Sequence, residues 1–338
     1  MDNLKTIFVV DDNNVNLLSA DKALSDYYRV FTMPSASNMF ELLEEITPDL
    51  ILLDIMMPEM DGFEALKLLK SNNKLYSIPV IFLTSRNDTS TESLGFEKGA
   101  IDFISKPFSK PVLLNRIKTH MEIENIIRER TESLNKLKNS IVFVLANMVE
   151  NRDKMTGSHI ERTTTYIELL IKTMLKRRIY IDEIGQWDCD VAVASARLHD
   201  IGKISIADVI LNKPEKLTPE EFEIIKTHAG EGERIIDGII AESGDKAFLQ
   251  YAKLFAGYHH EKWDGTGYPY GLKGTDIPLQ GRIMALADVY DALVSERPYK
   301  KAFAHSEAVE IIKNSSGTHF DPELVNVFLE CEKEFVPN

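Results

Sequence analysis

The chain has 338 residues, a formal net charge of −14 and two cysteines, Cys189 and Cys331. At roughly 150 residues per domain this length predicts two domains. The acidic balance argues against binding nucleic acid or an anionic membrane surface through a basic patch. Two cysteines cannot build a disulfide framework, and no apolar run approaches the ~18 residues of a membrane span. Because the start of the chain lacks signal-peptide features, we expect a cytoplasmic protein with no membrane insertion.

The first third of the chain alternates short apolar runs with segments of helical spacing. The apolar runs predict buried parallel strands at Ile7–Val10, Val30–Thr32, Leu50–Leu53, Val80–Leu83 and Asp102–Ile104. The segments between them predict helices at Val15–Leu24, Met39–Ile46, Gly62–Leu69 and Ser90–Lys98. Five strand-helix units predict a doubly wound α/β fold with a five-stranded parallel sheet, whose functional crevice lies at the carboxyl ends of the strands.

Polar residues follow four of these predicted strands. Asp11 and Asp12 follow the first strand, Asp54 the third, Thr84 the fourth and Lys106 the fifth. Three carboxylates at one edge would repel one another unless a hard cation lay among them, and Mg²⁺ prefers such oxygen ligands. A phosphoryl group on Asp54 would then be flanked by magnesium, Thr84 and Lys106. Taken singly, the aspartates could cap a helix and the lysine could be a surface charge.

This arrangement resembles the receiver domain of response regulators, over residues 1–120. The resemblance implies that Asp54 is the phosphoacceptor and that a sensor histidine kinase is the phosphodonor. The implied magnesium ligands are Asp11, Asp12 and the backbone carbonyl of Met56. The residues implied to bind the phosphoryl oxygens are Thr84 and Lys106, and the implied switching aromatic is Phe103.

A long helix is predicted next, because the chain has no internal proline or glycine from Leu113 to Met148. Its apolar residues recur three and four positions apart, except that Arg130 interrupts the pattern. They are Ile123, Ile127, Leu134, Leu137, Ile141, Val144 and Met148. That spacing predicts a coiled-coil seam within a linker of residues 121–148, and hence a homodimer. The alternative is that this stripe packs against the domains of its own chain.

Residues 149–338 are predicted to form an all-α domain, and they contain all but one of the eight histidines. Thr218 and Glu221 form a capping-box pattern around Pro219, which predicts a helix from Pro219 to about His228, with His228 in its last turn. Asp321-Pro322 predicts the start of a final helix that runs through Val327.

Histidines and carboxylates of this half have the spacing of metal ligands. His199 and Asp200 are adjacent, with Lys203 three residues later, and the pair His259-His260 leads into a glycine-rich segment. The candidate ligands are His159, His199, Asp200, His228, His259, His260 and Asp288. Five imidazoles and two carboxylates exceed the needs of one first-row metal ion, so we expect two ions that share Asp200. Alone, His228 would more often be a helix-capping or surface residue.

The pair His199-Asp200 and the triplet Gly267-Tyr268-Pro269 resemble the two motifs of the HD-GYP family of metal-dependent phosphohydrolases. The resemblance covers roughly the second half of the chain and implies the same seven ligands, with iron or manganese as the metal. The substrate contacts that it implies are Tyr268, Arg297 and Lys300. Some family members hold a third ion with a glutamate four residues before His159, where this chain has Met155. A thioether is a poor ligand for a hard ion, so we expect a binuclear site.

The implied activity is hydrolysis of cyclic di-GMP to linear pGpG under the control of phosphorylation, with further hydrolysis to GMP left open. Paired cations lower the pKa of bound water, Asp200 holds them, and Lys203 would protonate or stabilise the leaving 3′ oxygen. The alternative for Lys203 is an ordinary helix-terminal cation. Alternative functions are hydrolysis of another cyclic dinucleotide such as cyclic GMP-AMP, and a non-catalytic output domain that binds a nucleotide or a protein. The acidic chain has no recognisable DNA-binding output.

Overall fold

The computed structural model describes residues 4–72, 74–85, 89–153, 158–243, 246–296 and 301–336, without the side chains of 89–92 and 153. The chain divides into two compact units, Met1–Ser133 and Leu134–Asn338. None of the described helices is both long and apolar enough to cross a bilayer.

Unit 1 is a five-stranded parallel sheet with strand order β2-β1-β3-β4-β5. Its strands and helices, in chain order, are β1 (Thr6–Val10), α1 (Asn14–Leu24), β2 (Arg29–Met33), α2 (Ala36–Leu43), β3 (Leu50–Asp54), α3 (Gly62–Ser71), β4 (Val80–Thr84), α4 (Thr89–Glu97) and β5 (Asp102–Ser105). Every residue of β3 and β4 is buried, as expected for central parallel strands covered on both faces. The predicted doubly wound fold is confirmed.

Alternate residues of the strands point to opposite faces and build two separate cores. Phe8 and Ile51 pack with Met39 of α2 and Leu66 of α3 on one face. Ile7, Val9, Leu50 and Leu52 pack on the other face with α1 and with the start of the next helix. The strand register pairs Val10 with Leu53 and Thr84 with Ser105, so the carboxyl ends of these strands meet at one edge.

The next helix, α5 (Lys110–Glu150), is 41 residues long and contains the boundary between the two units. Its first turns are tied to the sheet by Asp102 of β5. The Asp102 carboxylate accepts hydrogen bonds from Arg116 at 2.6 and 2.8 Å and lies 3.0 Å from His120 Nε2. Burial opposes ionisation of Asp102, but Arg116 and His120 outweigh it and lower the pKa of this carboxyl.

The apolar stripe of α5 is exposed within the single chain. The exposed fractions of the seven side chains run from 45% at Ile123 to 66% at Leu134. Exposed apolar side chains along a helix form a surface of the kind that a partner covers, and the coiled-coil seam stays a prediction.

Unit 2 is built from helices. After α5 come α6 (His159–Arg177), α7 (Ile181–Ile184), α8 (Cys189–Ser195), α9 (Asp208–Leu211), α10 (Pro219–Glu242), α11 (Lys246–Tyr258), α12 (Leu279–Val294), α13 (His305–Asn314) and α14 (Pro322–Cys331). Two 3₁₀ segments, Ala196–Leu198 and Ile201–Ser205, lie on either side of His199-Asp200.

Helix α12 lies at the centre of the core of unit 2. Its residues are buried on nearly all sides, and Ile283 and Tyr290 belong to a core shared with Leu170 of α6 and Phe328 of α14. A helix surrounded by other helices is apolar all round, so polar side chains on it need partners. The two aspartates of α12, Asp288 and Asp291, are the exceptions that concern the site.

The predicted end of α10 is wrong. The capping box is present, because Glu221 N–H donates to Thr218 Oγ1 at 3.2 Å and Thr218 N–H donates to Glu221 Oε2 at 2.8 Å. The helix continues past His228 to Glu242, however, so His228 lies inside it with an exposed fraction of 1%. The glycines that follow His228 favour a helix end locally, but tertiary packing against Gly232 overrides that preference. The final helix also extends beyond Val327, to Cys331.

Candidate functional site

The carboxylates predicted at the edge of the sheet of unit 1 lie together. Asp11, Asp12 and Asp54 each offer an oxygen within 4.8 Å of the others. Lys106 Nζ is 2.6 Å from Asp11 Oδ2 and 2.8 Å from Asp54 Oδ1. Burial raises the pKa of Asp54, although Lys106 opposes that shift. One ammonium cannot balance three carboxylates, so this acidic pocket is consistent with a site for a hard divalent cation.

The other residues predicted for this pocket lie around it. Thr84, at the end of β4, is buried, and Met56 N–H donates to Asp54 Oδ1 at 3.4 Å. The ring of Phe103 is buried, with centroids 5.5 Å from Phe82 and 5.0 Å from Phe96. The phosphoacceptor, ligand and switching roles of these residues stay predictions.

The predicted metal ligands of unit 2 form two groups. One group consists of His159, His199 and Asp200, and the other of His228, His259 and His260. Within each group the three residues have ligand atoms that lie within 4.8 Å of one another. The seventh candidate, Asp288, has Oδ1 3.5 Å from His159 Nε2. All seven candidates therefore converge, although they come from separate parts of the chain.

Asp200 lies between the two groups. Its Oδ2 is 3.4 Å from His199 Nε2, and its Oδ1 is 3.4 Å from His228 Nε2 and 3.8 Å from His259 Nε2. One carboxylate thus faces both groups with different oxygens, which is the arrangement expected of a bridging ligand.

Hydrogen bonds set the orientation of four of the imidazoles. The Nδ1 atoms and their acceptors are His159 with Asp291 Oδ2 at 2.7 Å, His199 with Ala196 O at 3.1 Å, His228 with Ile225 O at 2.7 Å and His259 with Ala256 O at 3.0 Å. A carbonyl or carboxylate oxygen can only accept, so each Nδ1 carries the proton and donates it. Each Nε2 of a neutral ring is then left with a lone pair, as in histidines that bind metals.

These lone pairs point at one another, and the described protein provides no donor for them. Among the described residues, the buried Nε2 atoms of His159 and His199 have no hydrogen-bond partner. His228 Nε2 and His259 Nε2 are 3.3 Å apart. Two facing lone pairs do not make a hydrogen bond, and their burial without a partner is costly. A cation among these Nε2 atoms would accept the lone pairs of His159 and His199 and would separate those of His228 and His259. The residues therefore fit a metal centre.

The protonation states of the site suit metal binding. Burial, with the neighbouring His228 and His199, lowers the pKa of His259 to about 3. Burial, together with the neighbouring His259 and His228, lowers the pKa of His260 well below its ordinary value. For Asp200 burial opposes ionisation, but Lys203, with Nζ at 2.8 Å from Oδ2, and His199 hold the pKa well below its usual range. At neutral pH His259 and His260 are therefore neutral and Asp200 is ionised, which are the ligand forms that metals require. At His159 burial opposes the charge, but Asp291 and Asp288 outweigh it and raise the pKa of this imidazole.

Gly202 brings Asp200 and His228 together. A Cβ at Gly202 would lie 1.9 Å from the carbonyl oxygen of His228 and 2.5 Å from the amide nitrogen of Gly232. The segment after Asp200 thus packs backbone to backbone against α10, which only glycine allows. This contact keeps Oδ1 of Asp200 within reach of His228.

The loop after His260 is held by Glu261, which has an exposed fraction of 2%. Its carboxylate accepts hydrogen bonds from the backbone N–H groups of Tyr270 at 2.7 Å, Gly271 at 3.1 Å and Leu272 at 3.0 Å. Three buried hydrogen bonds to one charged group fix the far side of the loop relative to the paired histidines.

Tyr268 of this loop lies against the candidate ligand His260. Its N–H donates to the carbonyl of His260 at 3.1 Å, and its ring stacks on the His260 ring with centroids 4.7 Å apart. Among the loop glycines, Gly265, Gly271 and Gly274 have positive φ. Gly267 instead allows close approach, since a Cβ there would lie 2.3 Å from Lys262 N.

Some predicted residues lie outside the described part of the chain, namely Met155, Arg297 and Lys300.

Two positioning residues, Glu261 and Asp291, were not predicted from the sequence. Asp291 is completely buried, and it accepts hydrogen bonds from His159 Nδ1 and from Arg162 Nε at 2.6 Å. Its position one helical turn after Asp288 on α12 was the available signal, because residues three apart share a helix face.

Comparisons with known proteins agree with this geometry. The family model "Response regulator receiver domain" matches residues 7–118, and the model "HD domain" matches residues 124–324. A Vibrio cholerae protein named probable cyclic di-GMP phosphodiesterase is 42% identical over 98% of this chain and 78% of its own length. The chain belongs to the response regulators that join a receiver domain to an HD domain of the HD-GYP type.

Two further relatives differ in the substrate that they are named for. A cyclic di-GMP phosphodiesterase of Thermotoga maritima is 34% identical over 97% of this chain and 91% of its own length. A 3′3′-cGAMP-specific phosphodiesterase of Vibrio cholerae is 39% identical over 58% of this chain and 35% of its own length. The HD domain is therefore homologous to cyclic dinucleotide phosphodiesterases of more than one specificity.

Replacing Asp291 with alanine leaves His159 Nδ1 and Arg162 without their buried acceptor. We expect metal affinity to fall by ~10–100-fold, as for other partners of metal-bound histidines. We also expect unfolding stability to fall by ~1–3 kcal/mol, since the change removes charged hydrogen bonds from His159 and from the partly buried Arg162. Metal analysis after dialysis and thermal unfolding test this, with the exposed Asp182→Ala as control. Wild-type metal affinity in Asp291→Ala would show that the carboxylate does not orient His159.

Replacing Glu261 with glutamine keeps the shape of the side chain but turns one accepting oxygen into an NH₂ group. The loop at residues 270–272 then loses part of its anchoring, at a cost of ~1–3 kcal/mol. We expect faster amide hydrogen exchange at these residues and an unchanged metal content. The control is Glu223→Gln, whose side chain is exposed on α10. Unchanged protection at residues 270–272 contradicts the proposed anchoring.

Proposed function

We propose that this protein is a phosphorylation-regulated phosphodiesterase that hydrolyses cyclic di-GMP to linear pGpG, with hydrolysis to GMP as a further step. The observation that carries the proposal is the convergence of buried imidazoles on Asp200, with the ammonium of Lys203 beside that carboxylate. The relatives of 42% and 34% identity, both named for cyclic di-GMP, support this substrate.

We assign these donors to two divalent ions. His159, His199, Asp200 and Asp288 would hold one ion, and Asp200, His228, His259 and His260 would hold the other. Mixed nitrogen and oxygen donors suit iron or manganese, which we propose as the metals. When bound, such a pair supplies Lewis acidity toward a phosphodiester and lowers the pKa of water.

The chain's own residues supply proton transfer and orientation. We assign Asp200 the bridging role and Lys203 the role of general acid toward the leaving 3′ oxygen, since its ammonium lies at the edge of the centre. Burial raises the pKa of Tyr268, so its phenol stays protonated and can donate a hydrogen bond to a phosphate oxygen. We assign substrate contacts to Tyr268, Arg297 and Lys300.

A second candidate substrate is 3′3′-cyclic GMP-AMP, because one relative of 39% identity is named as specific for it. The two substrates share the phosphodiester ring and differ in one base, so the metal centre does not distinguish them. The discriminating experiment is the ratio of kcat/KM for the two cyclic dinucleotides on one metal-loaded preparation of the full chain. A non-catalytic output domain is the remaining alternative, and the absence of product from both substrates would support it.

For regulation we propose that a sensor histidine kinase supplies the phosphoryl group of Asp54, with Mg²⁺ held by Asp11, Asp12 and the carbonyl of Met56. Thr84 and Lys106 would bind the phosphoryl oxygens, and Phe103 would respond to them. Helix α5 starts in the receiver and ends in unit 2, so it is the covalent path for the signal. We propose that its exposed apolar stripe pairs with a second copy of the chain, which makes the protein a homodimer.

Changing both His199 and Asp200 to alanine removes proposed ligands of both ions, because Asp200 is assigned to each of them. We expect loss of more than about 99% of cyclic di-GMP hydrolysis, because neither ion keeps its full donor set. The receiver should still take up phosphate, since its site lies in the other unit. Product analysis and a phosphorylation assay on the same sample test both expectations. Hydrolysis near the wild-type rate with reduced metal content would refute the proposed mechanism.

Changing Asp54 to asparagine removes the carboxylate that would form the acyl phosphate. We expect a phosphodonor to change the turnover and the self-association of the wild type and to leave this variant unaffected. Turnover and molecular mass in solution should be measured with and without the phosphodonor. If the wild type takes up phosphate but matches the variant in both measurements, the receiver does not control the output.

A further inference from the structure

Arg152 lies two residues after the end of α5 and holds a segment that borders the candidate centre. It belongs to the short 3₁₀ segment Asn151–Asp153, which follows α5 directly. Its Nη1 donates to the carbonyl oxygens of Ile204 at 3.1 Å and of Lys203 at 3.4 Å, and its Nη2 donates to that of Ile206 at 3.0 Å. One side chain therefore holds the backbone of this segment at three carbonyls.

The guanidinium of Arg152 fits the end of a short helix. The 3₁₀ segment Ile201–Ser205 ends here, and the last carbonyls of a helix lack partners within it. Asp208 adds a charged acceptor, because its Oδ1 accepts hydrogen bonds from Arg152 Nε at 3.1 Å and from Nη2 at 2.7 Å. The rigid fork of a guanidinium reaches these separate acceptors together, which the single nitrogen of a lysine does not.

Lys203 lies within the segment that Arg152 holds. Its Nζ is 2.8 Å from Asp200 Oδ2, and the exposed fraction of its side chain is 15%. On the preceding side, Gly202 packs against the backbone of α10. The backbone around Lys203 is thus attached to α10 before it and to Arg152 after it, which restricts where the ammonium can lie.

We propose that Arg152 is a positioning residue for Lys203. The proposal rests on the proposed function, in which Lys203 Nζ gives a proton to the leaving 3′ oxygen as the bond from that oxygen to phosphorus breaks. A general acid works only within hydrogen-bond reach of the atom that it protonates, and a displacement of about 1 Å can lower a rate ~100-fold. Arg152 touches no reacting group, but it fixes the backbone from which the Lys203 side chain extends.

A purely structural role for Arg152 makes a different prediction. It predicts lower stability and an equal loss of activity toward every phosphodiester. A positioning role predicts a loss that depends on the leaving group. The leaving 3′ oxygen of a cyclic dinucleotide needs a proton, whereas p-nitrophenolate leaves as a stable anion without one. Hydrolysis of bis(p-nitrophenyl) phosphate is therefore the reference reaction.

The test compares Arg152→Ala with the wild type, both as full chains loaded with Mn²⁺. We expect kcat for cyclic di-GMP to fall by ~10–100-fold with little change in KM, because the acid is misplaced and binding is not. The rate for bis(p-nitrophenyl) phosphate, the metal content and Tm should stay close to wild type. The control is Arg177→Ala, which removes an exposed guanidinium of α6 that hydrogen-bonds Glu330.

The variant Lys203→Ala shows whether the loss in Arg152→Ala runs through the proposed acid. Lys203→Ala should lower kcat for cyclic di-GMP by ~100-fold or more and spare bis(p-nitrophenyl) phosphate. Adding Arg152→Ala should lower that rate little further, since residues that act through one group are not additive. Arg152→Lys is the milder variant if the alanine variant unfolds, and it should show the same selective loss at a smaller size.

The outcomes separate this proposal from the proposed function. Equal losses toward both substrates in the Arg152 variants overturn the proposal, as do additive losses in the double variant. A selective loss in Lys203→Ala without one in Arg152→Ala overturns the proposal and leaves the proposed function intact. Equal losses toward both substrates in Lys203→Ala remove Lys203 as the general acid and this inference with it. A metal-loaded wild type that hydrolyses neither substrate overturns the proposed function itself, and the inference falls with it.

Discussion

Unit 2 is organised around the convergence of buried lone pairs on Asp200. Four imidazoles donate their Nδ1 protons to fixed acceptors, which leaves their Nε2 atoms without protons and, for His228 and His259, only 3.3 Å apart. Burial lowers the pKa of His228 and His259, which keeps these two rings neutral, and Lys203 helps to hold the pKa of Asp200 well below its usual range. Buried acceptors without donors are costly, and cations bound among them would remove that cost.

Different contacts position different residues of the candidate centre. Gly202 allows backbone contact between the segment after Asp200 and α10, and Asp291 orients His159 from the core helix α12. Glu261 holds the loop that places Tyr268 over His260. These residues touch no reacting group, yet each removes freedom that the ligands would otherwise have, which is how supporting residues preorganise a site.

The candidate metal sites of the two units differ in their ligand atoms. In the receiver the possible metal ligands are the oxygens of three carboxylates, beside one lysine. Such oxygen donors suit Mg²⁺, and the lysine suits a phosphoryl group. In the HD domain nitrogen donors dominate, which suits transition metals. Helix α5 belongs to both units: Arg116 is tied to β5 near its start, and Glu150 at its end lines a small cavity with the candidate ligands His159 and His199. A signal carried by this helix therefore needs no loop to reach the centre.

The sequence by itself determined the receiver fold, the residues at the edge of its sheet, the long helix and the seven candidate ligands, because strand periodicity and adjacent motif residues are local patterns. Only the tertiary structure placed His228 inside a helix and revealed Asp291 and Glu261 as partners of the site. His159 and Asp291 are 132 positions apart in the chain, and no local pattern records a contact of that range. Local glycines after His228 favoured a helix end, and packing against Gly202 reversed that preference. Whether a buried carboxylate has a partner depends on elements that meet only in the folded chain.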